Sequence, residues 1–232
     1  RHFGRDLGPQ LSVDALLRDT NEAVTELSRN YAEVMTKLET LLQEKEQLHS
    51  ALLKADEKLA TLSLTDTVCG LPNHRAFREA LSRDLARADR SKTHVALVVL
   101  DLDEFQHVNE SYGPAAADLV LAGMAEVLLD CVRASDVLAR VGGEKFALLL
   151  PSTNLQGAMI VAERVRVRVA ERTFQGPRGA FHVTASIGVA VTMGPNCRTH
   201  DAVLLNAAES GLSLAKQGGR NRVMVGPLDP RA

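Results

Sequence analysis

The sequence has no tryptophan and only two tyrosines and six phenylalanines, so aromatic residues make up 3% of its 232 residues. Hydrophobic residues still reach 45%, and aliphatic side chains and alanine must therefore fill the core. Charge of one sign is also scarce, because 27 basic residues are offset by 29 acidic ones to a net charge of −2. This balance argues against a bulk electrostatic partner such as nucleic acid or an anionic membrane.

Cysteine is scarce too, and Cys69, Cys131 and Cys197 show neither a CxxC pair nor a metal-type spacing. This usage favours a reducing compartment, and we expect a cytoplasmic location. No apolar run reaches the ~18 residues of a membrane span, and no signal peptide is visible. Because the chain begins with Arg1 rather than Met, we expect an upstream sensor or receiver domain in a longer protein.

A long helix is predicted near the start of the chain. Residues 1–10 contain two glycines and a proline and are typical of a linker, whereas 11–69 contain neither residue type. We predict a coiled-coil signalling helix over 11–63 and a second domain over 64–232. Steps of three and four residues trace a seam through Leu17, Thr20, Val24, Leu27, Tyr31, Val34, Leu38, Leu41, Lys45, Leu48, Leu52, Ala55, Leu59 and Leu62.

A narrow stripe of two positions in seven predicts a left-handed coiled coil that pairs two chains. About 50 residues at ~1.5 Å each would form a rod of roughly 75 Å. The alternative is a long helix that packs on its own domain. Lys45, within the seam, either sets the register or oligomeric state or is a surface residue whose stem snorkels.

Strand and helix patterns alternate in the second domain. Asn73 is the predicted N-cap of a helix that runs to about Arg90. Further helices are predicted over 115–133, 155–173 and 201–217, and strands over 94–100, 137–141, 145–150, 182–191 and 222–225. Gly142-Gly143 predicts a tight hairpin turn. Together these elements predict an α/β (α+β) fold with a central mixed sheet of about five strands flanked by helices.

Carboxylates stand at two points where a buried element ends. Asp101 and Asp103 follow a predicted buried strand, where they cost free energy unless a cation or donors face them. Glu144 follows the Gly142-Gly143 turn, whose glycines let a bulky anion approach. Mg²⁺ takes oxygen ligands and often bridges carboxylates to nucleotide phosphates. Each of these pieces is weak alone, since most D-x-D segments are solvated loop starts.

Six ordered blocks over 64–226 together resemble the GGDEF (diguanylate cyclase) family. They are Leu64-Thr65-Asp66 with Gly70-Leu71-Pro72-Asn73, then Asp101–Phe105, Asn109 with Gly113 and Asp118, Arg140–Phe146, Ser186–Ala190, and Ala215-Lys216 with Gly219–Asn221. The resemblance implies a nucleotidyl-cyclase palm-like fold in a homodimer joined by a parallel coiled coil. It also implies that two facing GTP molecules condense into cyclic di-GMP and pyrophosphate.

The resemblance assigns roles to individual residues. Asp101 and Glu144 would be catalytic and would hold Mg²⁺ (or Mn²⁺) with the Leu102 carbonyl. The residues implied to bind the nucleotide are Asn109, Asp118, Gly142, Gly143, Lys216 and Arg220. Among them, Lys216 and Arg220 would clamp phosphates. The alternative for these two is a cationic helix end that opposes the dipole.

Lys145 departs from the family pattern because the family has Glu at this fourth place of the motif. Two like charges at ~4 Å cost on the order of 4 kcal/mol at an effective dielectric near 20. Because adjacent strand residues face opposite sides, Lys145 either points away from Glu144 or meets a phosphate. Other departures, all near the implied nucleotide, are Gln106 for Lys, Pro114 for His, Ala117 for Gly and Ser213 for Tyr.

Arg133 and Asp136 form an RxxD segment that resembles the family's inhibitory site for cyclic di-GMP. Arginine can fork onto phosphate or onto a guanine edge, and Arg164, or else Arg166, on the next helix would complete the site. The alternative is a surface Arg–Asp pair at helix spacing, which is worth little.

Three functions stay open at this point. In the first, a degenerate signalling module binds cyclic di-GMP or GTP and signals through a coiled-coil dimer. In the second, the chain is an active but slow cyclase, and in the third it is a coiled-coil scaffold without a ligand. Lys145, Gln106 and Pro114 favour the first over the second, whereas intact Asp101 and Glu144 argue against the third.

Overall fold

The computed structural model describes residues 13–176, 179–192 and 201–228. The chain divides into two compact units, Arg1–Leu62 and Ser63–Ala232. The predicted linker over 1–10 lies outside the described residues, as does Cys197. In the part of the chain that is described, no helix combines the length and hydropathy of a membrane span.

The first unit is a single helix, α1, that spans Val13–Leu62. Large apolar side chains of the predicted seam are 47–76% exposed in the single chain, namely those of Leu17, Val24, Leu27, Tyr31, Val34, Leu38, Leu41 and Leu48. The side chains of Leu52, Ala55, Leu59 and Leu62 lie outside the described part. An exposed apolar row of this kind is consistent with a coiled coil, in which a second helix would cover it.

The second unit contains the sheet. Its elements are α2 (His74–Ser91), β1 (Val95–Leu102), α3 (Phe105–Tyr112), α4 (Pro114–Leu129), β2 (Val137–Gly142), β3 (Lys145–Pro151), α5 (Leu155–Glu171), β4 (Thr173–Gly176), β5 (Gly179–His182), β6 (Ala185–Val191), α6 (Asp201–Gln217) and β7 (Val223–Val225). The five-stranded sheet has the order β2-β3-β1-β6-β7. Among the strand pairs of this sheet that the structure describes, β6–β7 is parallel and the others are antiparallel. The predicted mixed sheet flanked by helices is confirmed.

Strand β1 is buried on both faces, and its side chains alternate between two cores. Val95, Leu97 and Val99 pack with apolar residues of α2 and α6. Ala96, Val98 and Leu100 pack on the other face with residues of α4 and α5. Full burial of such aliphatic side chains contributes about 1.5–3 kcal/mol each, which compensates for the shortage of aromatic residues.

Helix α6 lies directly against β6. A Cβ atom on Gly188 of β6 would overlap the backbone of Ala208 and Leu212 in α6, so only glycine permits this approach. The approach brings the last turn of α6, which carries Lys216, to the end of β1 where Asp101 lies.

Three features differ from the sequence expectation. The predicted strand over 94–100 runs on to Leu102, so Asp101 lies within β1 rather than after it. The short helix α3 and the β4–β5 hairpin were not predicted. Tyr112 of α3 stacks on Phe181 of β5 with ring centroids 4.4 Å apart, which fixes the hairpin against the helix. The predicted N-cap is confirmed, since the Asn73 side chain accepts hydrogen bonds from the first turn of α2.

Candidate functional site

Asp101 is the most strongly buried carboxylate at the end of β1, with 3% of its surface exposed. Its Oδ1 atom lies 2.7 Å from Nζ of Lys216 on α6. Burial raises the pKa of Asp101 and the Lys216 ammonium opposes this rise, while the nearby Glu144 carboxylate reinforces it. The fold therefore brings together three of the side chains that the sequence singled out.

The Gly142-Gly143 turn holds Glu144 beside the end of β1. Gly142 and Gly143 have φ angles of 156° and 42°, which residues with a Cβ atom rarely adopt. Space around both glycines is open, so a large anion can approach this turn. The Glu144 carbonyl accepts a hydrogen bond of 3.4 Å from the Leu102 N–H, which fixes the turn against β1.

Arg140 fixes the same turn from the other side, and the sequence analysis gave it no separate role. Its Nε donates to the Gly143 carbonyl at 2.8 Å, and its Nη1 donates to both carboxylate oxygens of Asp66 at 2.9 and 3.1 Å. Burial raises the pKa of Asp66, but the Cys69 N–H and the Arg140 guanidinium outweigh it, and the net pKa is lowered. The predicted opening segment and the glycine turn are thus tied together.

Lys145 is the cross-strand neighbour of Asp101 in the β1–β3 pair. Its ammonium contacts the Glu209 carboxylate of α6 at 3.0 and 3.2 Å. The positive charge remains close enough to lower the pKa of Asp101. Lys145 therefore has a counter-charge of its own, which the sequence analysis did not foresee.

Asp103 has hydrogen-bond partners of its own. Its carboxylate accepts hydrogen bonds from Oγ1 of Thr184 at 2.7 Å, from Oγ of Ser186 at 2.6 Å and from the N–H of Asn221 at 3.0 Å. Three donors already bind its two oxygens, so Asp101, beside Lys216, is the carboxylate of the D-x-D segment that we assign to the site.

Asp101 and Glu144 have the chemistry of a hard-cation site. Within the described residues, no three Asp, Glu, His or Cys side chains converge to form a complete metal cage. Mg²⁺ characteristically uses one or two carboxylates and completes its shell with water and substrate phosphates. The buried Asp101 carboxylate already attracts the Lys216 ammonium, which shows its preference for a cation. The residues present therefore fit a divalent ion that arrives with a phosphate ligand.

Asn109 and Asp118 lie on the packed helices α3 and α4, which Gly113 alone separates. Both residues are exposed, and neither side chain bonds to another residue in the described ranges. Their polar groups are thus available to a ligand.

The departures nearby have ordinary partners. Pro114 is the first residue of α4, a position where proline favours helix initiation, and Ala117 is 5% exposed and packs in the core. Gln106 donates to Glu110 one turn later at 2.8 Å, and Ser213 accepts from Gln217 at 3.2 Å.

Arg220 follows α6 in a left-handed backbone conformation with φ of 61°. Its guanidinium makes no hydrogen bond or ion pair with the residues that the structure describes. It lines a cavity of about 370 Å³ together with residues of α3, β5 and the end of β1. Lys216 thus lies beside Asp101, whereas Arg220 borders the cavity that Asp103 and Glu104 line.

The RxxD residues form a turn. Asp136 accepts from the Arg133 N–H at 2.8 Å, whereas the Arg133 guanidinium is exposed and has no partner among the described residues. Arg164 donates to the Cys131 carbonyl at 2.7 Å, next to this turn. Arg166 contacts Glu163 and Asn221 instead, so Arg164 is the arginine of α5 placed near Arg133.

A groove of about 500 Å³ adjoins Arg133, and its lining includes Arg87 and Asp84 of α2. Asp84 is 8% exposed, with no hydrogen-bond partner among the described residues. Neither residue was predicted as part of a site, because α2 carries several arginines and no sequence pattern distinguishes Arg87. Their spacing is the one available signal, because residues three positions apart, such as Asp84 and Arg87, lie on the same face of a helix.

The sequence matches the family described as "Diguanylate cyclase, GGDEF domain" over residues 63–222. It is 32% identical over 214 residues to "Diguanylate cyclase DgcP" of Pseudomonas aeruginosa, which covers 92% of this chain and 31% of that protein. The chain spans between about a quarter and a half of the length of the first curated relatives it matches.

Solved structures resemble the chain as well. Diguanylate cyclase SiaD of Pseudomonas aeruginosa, in complex with its activator SiaC, is 32% identical with a TM-score of 0.65 and covers 90% of this chain and 79% of that one. The coiled coil and GGDEF domain of DgcB from Caulobacter crescentus, in complex with c-di-GMP, is 28% identical with a TM-score of 0.66 and covers 81% of this chain and 98% of that one.

Proposed function

The chain belongs to the GGDEF diguanylate cyclase domain family, and from this premise we propose that it is a cyclic di-GMP signalling module that binds GTP beside Asp101 and cyclic di-GMP beside Arg133. One observation carries the first part. Asp101 and Glu144 lie together at the end of β1, with the Lys216 ammonium 2.7 Å from Asp101. Anionic groups for a cation and a cationic group for phosphates thus meet at one point.

Different residues of the chain bind the base and the phosphates of GTP. Asp118 accepts from the N1 and N2 donors of guanine, and Asn109 contacts the same base edge. Lys216 and Arg220 bind phosphate oxygens. The open Gly142-Gly143 turn admits the ligand. A divalent ion, Mg²⁺ or Mn²⁺, held by Asp101, Glu144 and the Leu102 carbonyl, would neutralise phosphate charge.

Calorimetry tests the GTP site directly. We expect GTP to bind in the presence of Mg²⁺ and ATP to bind at least about tenfold more weakly, because adenine lacks the donors that Asp118 accepts. Asp118→Ala should remove this preference, while Asp89→Ala on α2 serves as a control that leaves it intact. Equal affinity of the wild-type chain for GTP and ATP would contradict the proposal.

Turnover of GTP is a second candidate, and the Lys145–Glu209 ion pair favours it. Because Glu209 balances the lysine, the unusual motif leaves the two carboxylates of the cation site in place. The purified dimer would be incubated with GTP and Mg²⁺, and cyclic di-GMP would be measured by chromatography. Formation of cyclic di-GMP that Asp101→Asn abolishes supports a slow cyclase, whereas binding without product supports a module that only senses nucleotides.

Cyclic di-GMP binding rests on the exposed Arg133 side chain, whose backbone N–H bonds to Asp136 and whose turn follows the Cys131 carbonyl that Arg164 binds. Arginine can donate two bonds to phosphate or to the O6 and N7 atoms of guanine. Arg133→Ala should abolish the calorimetric signal for cyclic di-GMP, while Arg78→Ala on α2 should leave it unchanged. A wild-type chain that gives no heat would remove this site from the proposal.

The helix α1 supplies the dimer in this proposal. Parallel pairing along the exposed apolar row would join two chains over the coiled coil at 11–63 and would leave the domain at 64–232 to face its partner copy. Two GTP sites would then meet in one dimer. A cytoplasmic location and an upstream sensor or receiver domain complete the proposal.

A further inference from the structure

Asp103 lies at the junction of three chain segments. Its carboxylate is 8% exposed and accepts one hydrogen bond at Oδ1, from Ser186, and two at Oδ2, from Thr184 and the N–H of Asn221. Its own N–H donates to the Thr184 carbonyl at 2.8 Å. An ionised carboxylate only accepts hydrogen bonds, so these converging donors define its role.

The segments that Asp103 joins contain backbone conformations that need support. Glu104, Arg220 and Asn221 have φ angles of 56°, 61° and 42° without being glycine. Such left-handed positions are unfavourable for residues with a Cβ and persist where the surroundings hold them. Asp103 precedes Glu104 in the chain and binds the N–H of Asn221, and it therefore anchors both loops.

Arg220 depends on this anchoring for its direction. Its side chain has no partner of its own in the described part of the chain, and the peptide that follows it carries the N–H held by Asp103. Asp103, Glu104, Arg220 and Asn221 all line the same cavity of about 370 Å³. A shift of Asn221 would move Arg220 within this cavity.

We propose that Asp103 is a positioning residue that aims Arg220 at the phosphates of the bound nucleotide, and that it is not a cation ligand. The inference rests on the proposed GTP site, because Arg220 needs a phosphate there. Asp103 positions Arg220 by accepting hydrogen bonds rather than by its negative charge. A neutral residue that accepts the same hydrogen bonds should therefore keep this role. An asparagine carbonyl oxygen in the Oδ2 position can still accept from Thr184 and Asn221, while its NH₂ group donates to the Ser186 hydroxyl.

The first test compares Asp103→Ala with Asp103→Asn by calorimetry with GTP and with guanosine, which has no phosphate. Asp103→Ala should weaken GTP binding about tenfold or more and leave guanosine binding within about twofold, because only the phosphate contact is lost. Asp103→Asn should stay within about threefold of the wild type for GTP. A loss in Asp103→Asn as large as that in Asp103→Ala, or an equal loss for guanosine, would overturn the proposal.

A double-mutant cycle with Arg220→Ala identifies the residue through which Asp103 acts. Arg220→Ala should weaken GTP binding in the wild-type background and add less than about twofold in the Asp103→Ala background, because coupled residues are non-additive. Full additivity of the two substitutions would mean that Asp103 does not act through Arg220 and would reject the proposal.

Amide hydrogen exchange keeps the inference testable if Asp103→Ala fails to fold. Thr184→Val removes one donor while the carboxylate stays, and should speed exchange at Asn221 and weaken GTP binding more than guanosine binding. Exchange at Thr192, whose N–H bonds to the Val95 carbonyl, serves as a control. Unchanged exchange and unchanged GTP binding in Thr184→Val count against the proposal. If the wild-type chain binds no GTP, the proposed function fails, and exchange at Asn221 in Asp103→Asn and Thr184→Val then decides the anchoring alone.

Discussion

Nζ of Lys145 lies 3.0 Å from Oε2 of Glu209, so the residue that departs most from the GGDEF motif forms an ion pair with α6. Both side chains are partly exposed, at 38% and 45%. The pair holds the lysine on the face of the sheet that also carries Asp101, its cross-strand neighbour. The charge change at the motif is therefore compensated locally.

Glu209→Gln should weaken the binding of a divalent cation. Without Glu209 the Lys145 ammonium loses its ion pair, and its positive charge opposes a cation at Asp101 and Glu144 more strongly. We expect the affinity for Mn²⁺, measured by electron paramagnetic resonance with GTP present, to fall about twofold to fivefold. Glu79→Gln removes a comparable exposed pair on α2 and should leave the affinity unchanged. An unaltered Mn²⁺ affinity in Glu209→Gln would show that the ion pair is irrelevant to the site.

Lys145→Glu should make the stability of the domain depend on divalent cations. The new carboxylate would lie near Glu209, Asp101 and Glu144, and this repulsion should lower Tm in EDTA by about 2–4 °C for each kcal/mol lost. Mg²⁺ should restore Tm, and cyclic di-GMP formation should rise if the lysine limits turnover. The neutral variant Lys145→Met is the control. Identical Tm values with EDTA and with Mg²⁺ would contradict the expectation.

Asp101→Asn should stabilise the chain at neutral pH when no nucleotide is present. Burial raises the pKa of Asp101, so the native state holds its proton more tightly than the unfolded state. Stability is therefore highest below the unfolded pKa and falls as pH rises through the native pKa. Urea unfolding should give Asp101→Asn a higher unfolding free energy at pH 7.5, and this gain should shrink as pH falls through the native pKa of Asp101. A variant less stable than wild type at pH 7.5 would refute this.

Asp66→Asn should act with the opposite pH dependence. The pKa of Asp66 is lowered on balance, so its contribution is present above pH 3.8 and is lost as pH falls through the native pKa. Loss of the ion pair with Arg140 should reduce the unfolding free energy by about 1–2 kcal/mol at pH 7. The difference between Asp66→Asn and the wild type should become smaller only at acidic pH, where Asp66 is protonated. Asp89→Asn, which breaks the exposed pair with Lys92, should cost less than about 0.5 kcal/mol. Equal losses in both variants would argue against a special role for Arg140.

Substitutions along α1 test the coiled coil. Leu27 and Val34 are 70% and 63% exposed in the single chain, and a partner helix would bury both. Leu27→Asn or Val34→Asn should raise the dimer dissociation constant about tenfold or more, because a polar group in the seam costs stability. Glu33→Asn, next to the seam, should leave it nearly unchanged in analytical ultracentrifugation. A monomeric wild-type chain would exclude the dimer.

The sequence predicted the elements whose pattern is long and periodic. The continuous apolar run of β1, the Asn73 cap and the Gly142-Gly143 hairpin all have local signals, and the structure contains each of them. Helix α3 was missed because it is short and buries only Val108. The β4–β5 hairpin was missed because its four-residue strands are held by rings such as Tyr112 and Phe181, which are distant in sequence.

The hydrogen-bond and ion-pair partners of the site residues could not be predicted from the sequence for a related reason. Glu209 lies 64 positions from Lys145, and Asn221 lies 118 positions from Asp103. Neither pair leaves a periodic or spacing signal, because both form only when the sheet and α6 are assembled. The motifs therefore located the site at the end of β1. The ion pair of Lys145 with Glu209 and the hydrogen bonds of Asp103 became visible only in the folded structure.

The guanidinium of Arg140 has a mechanical consequence. It grips Asp66, near the start of the domain, and the Gly143 carbonyl, in the turn that borders the candidate site. The start of the domain and the rim of the candidate site are thus connected directly through one side chain, that of Arg140.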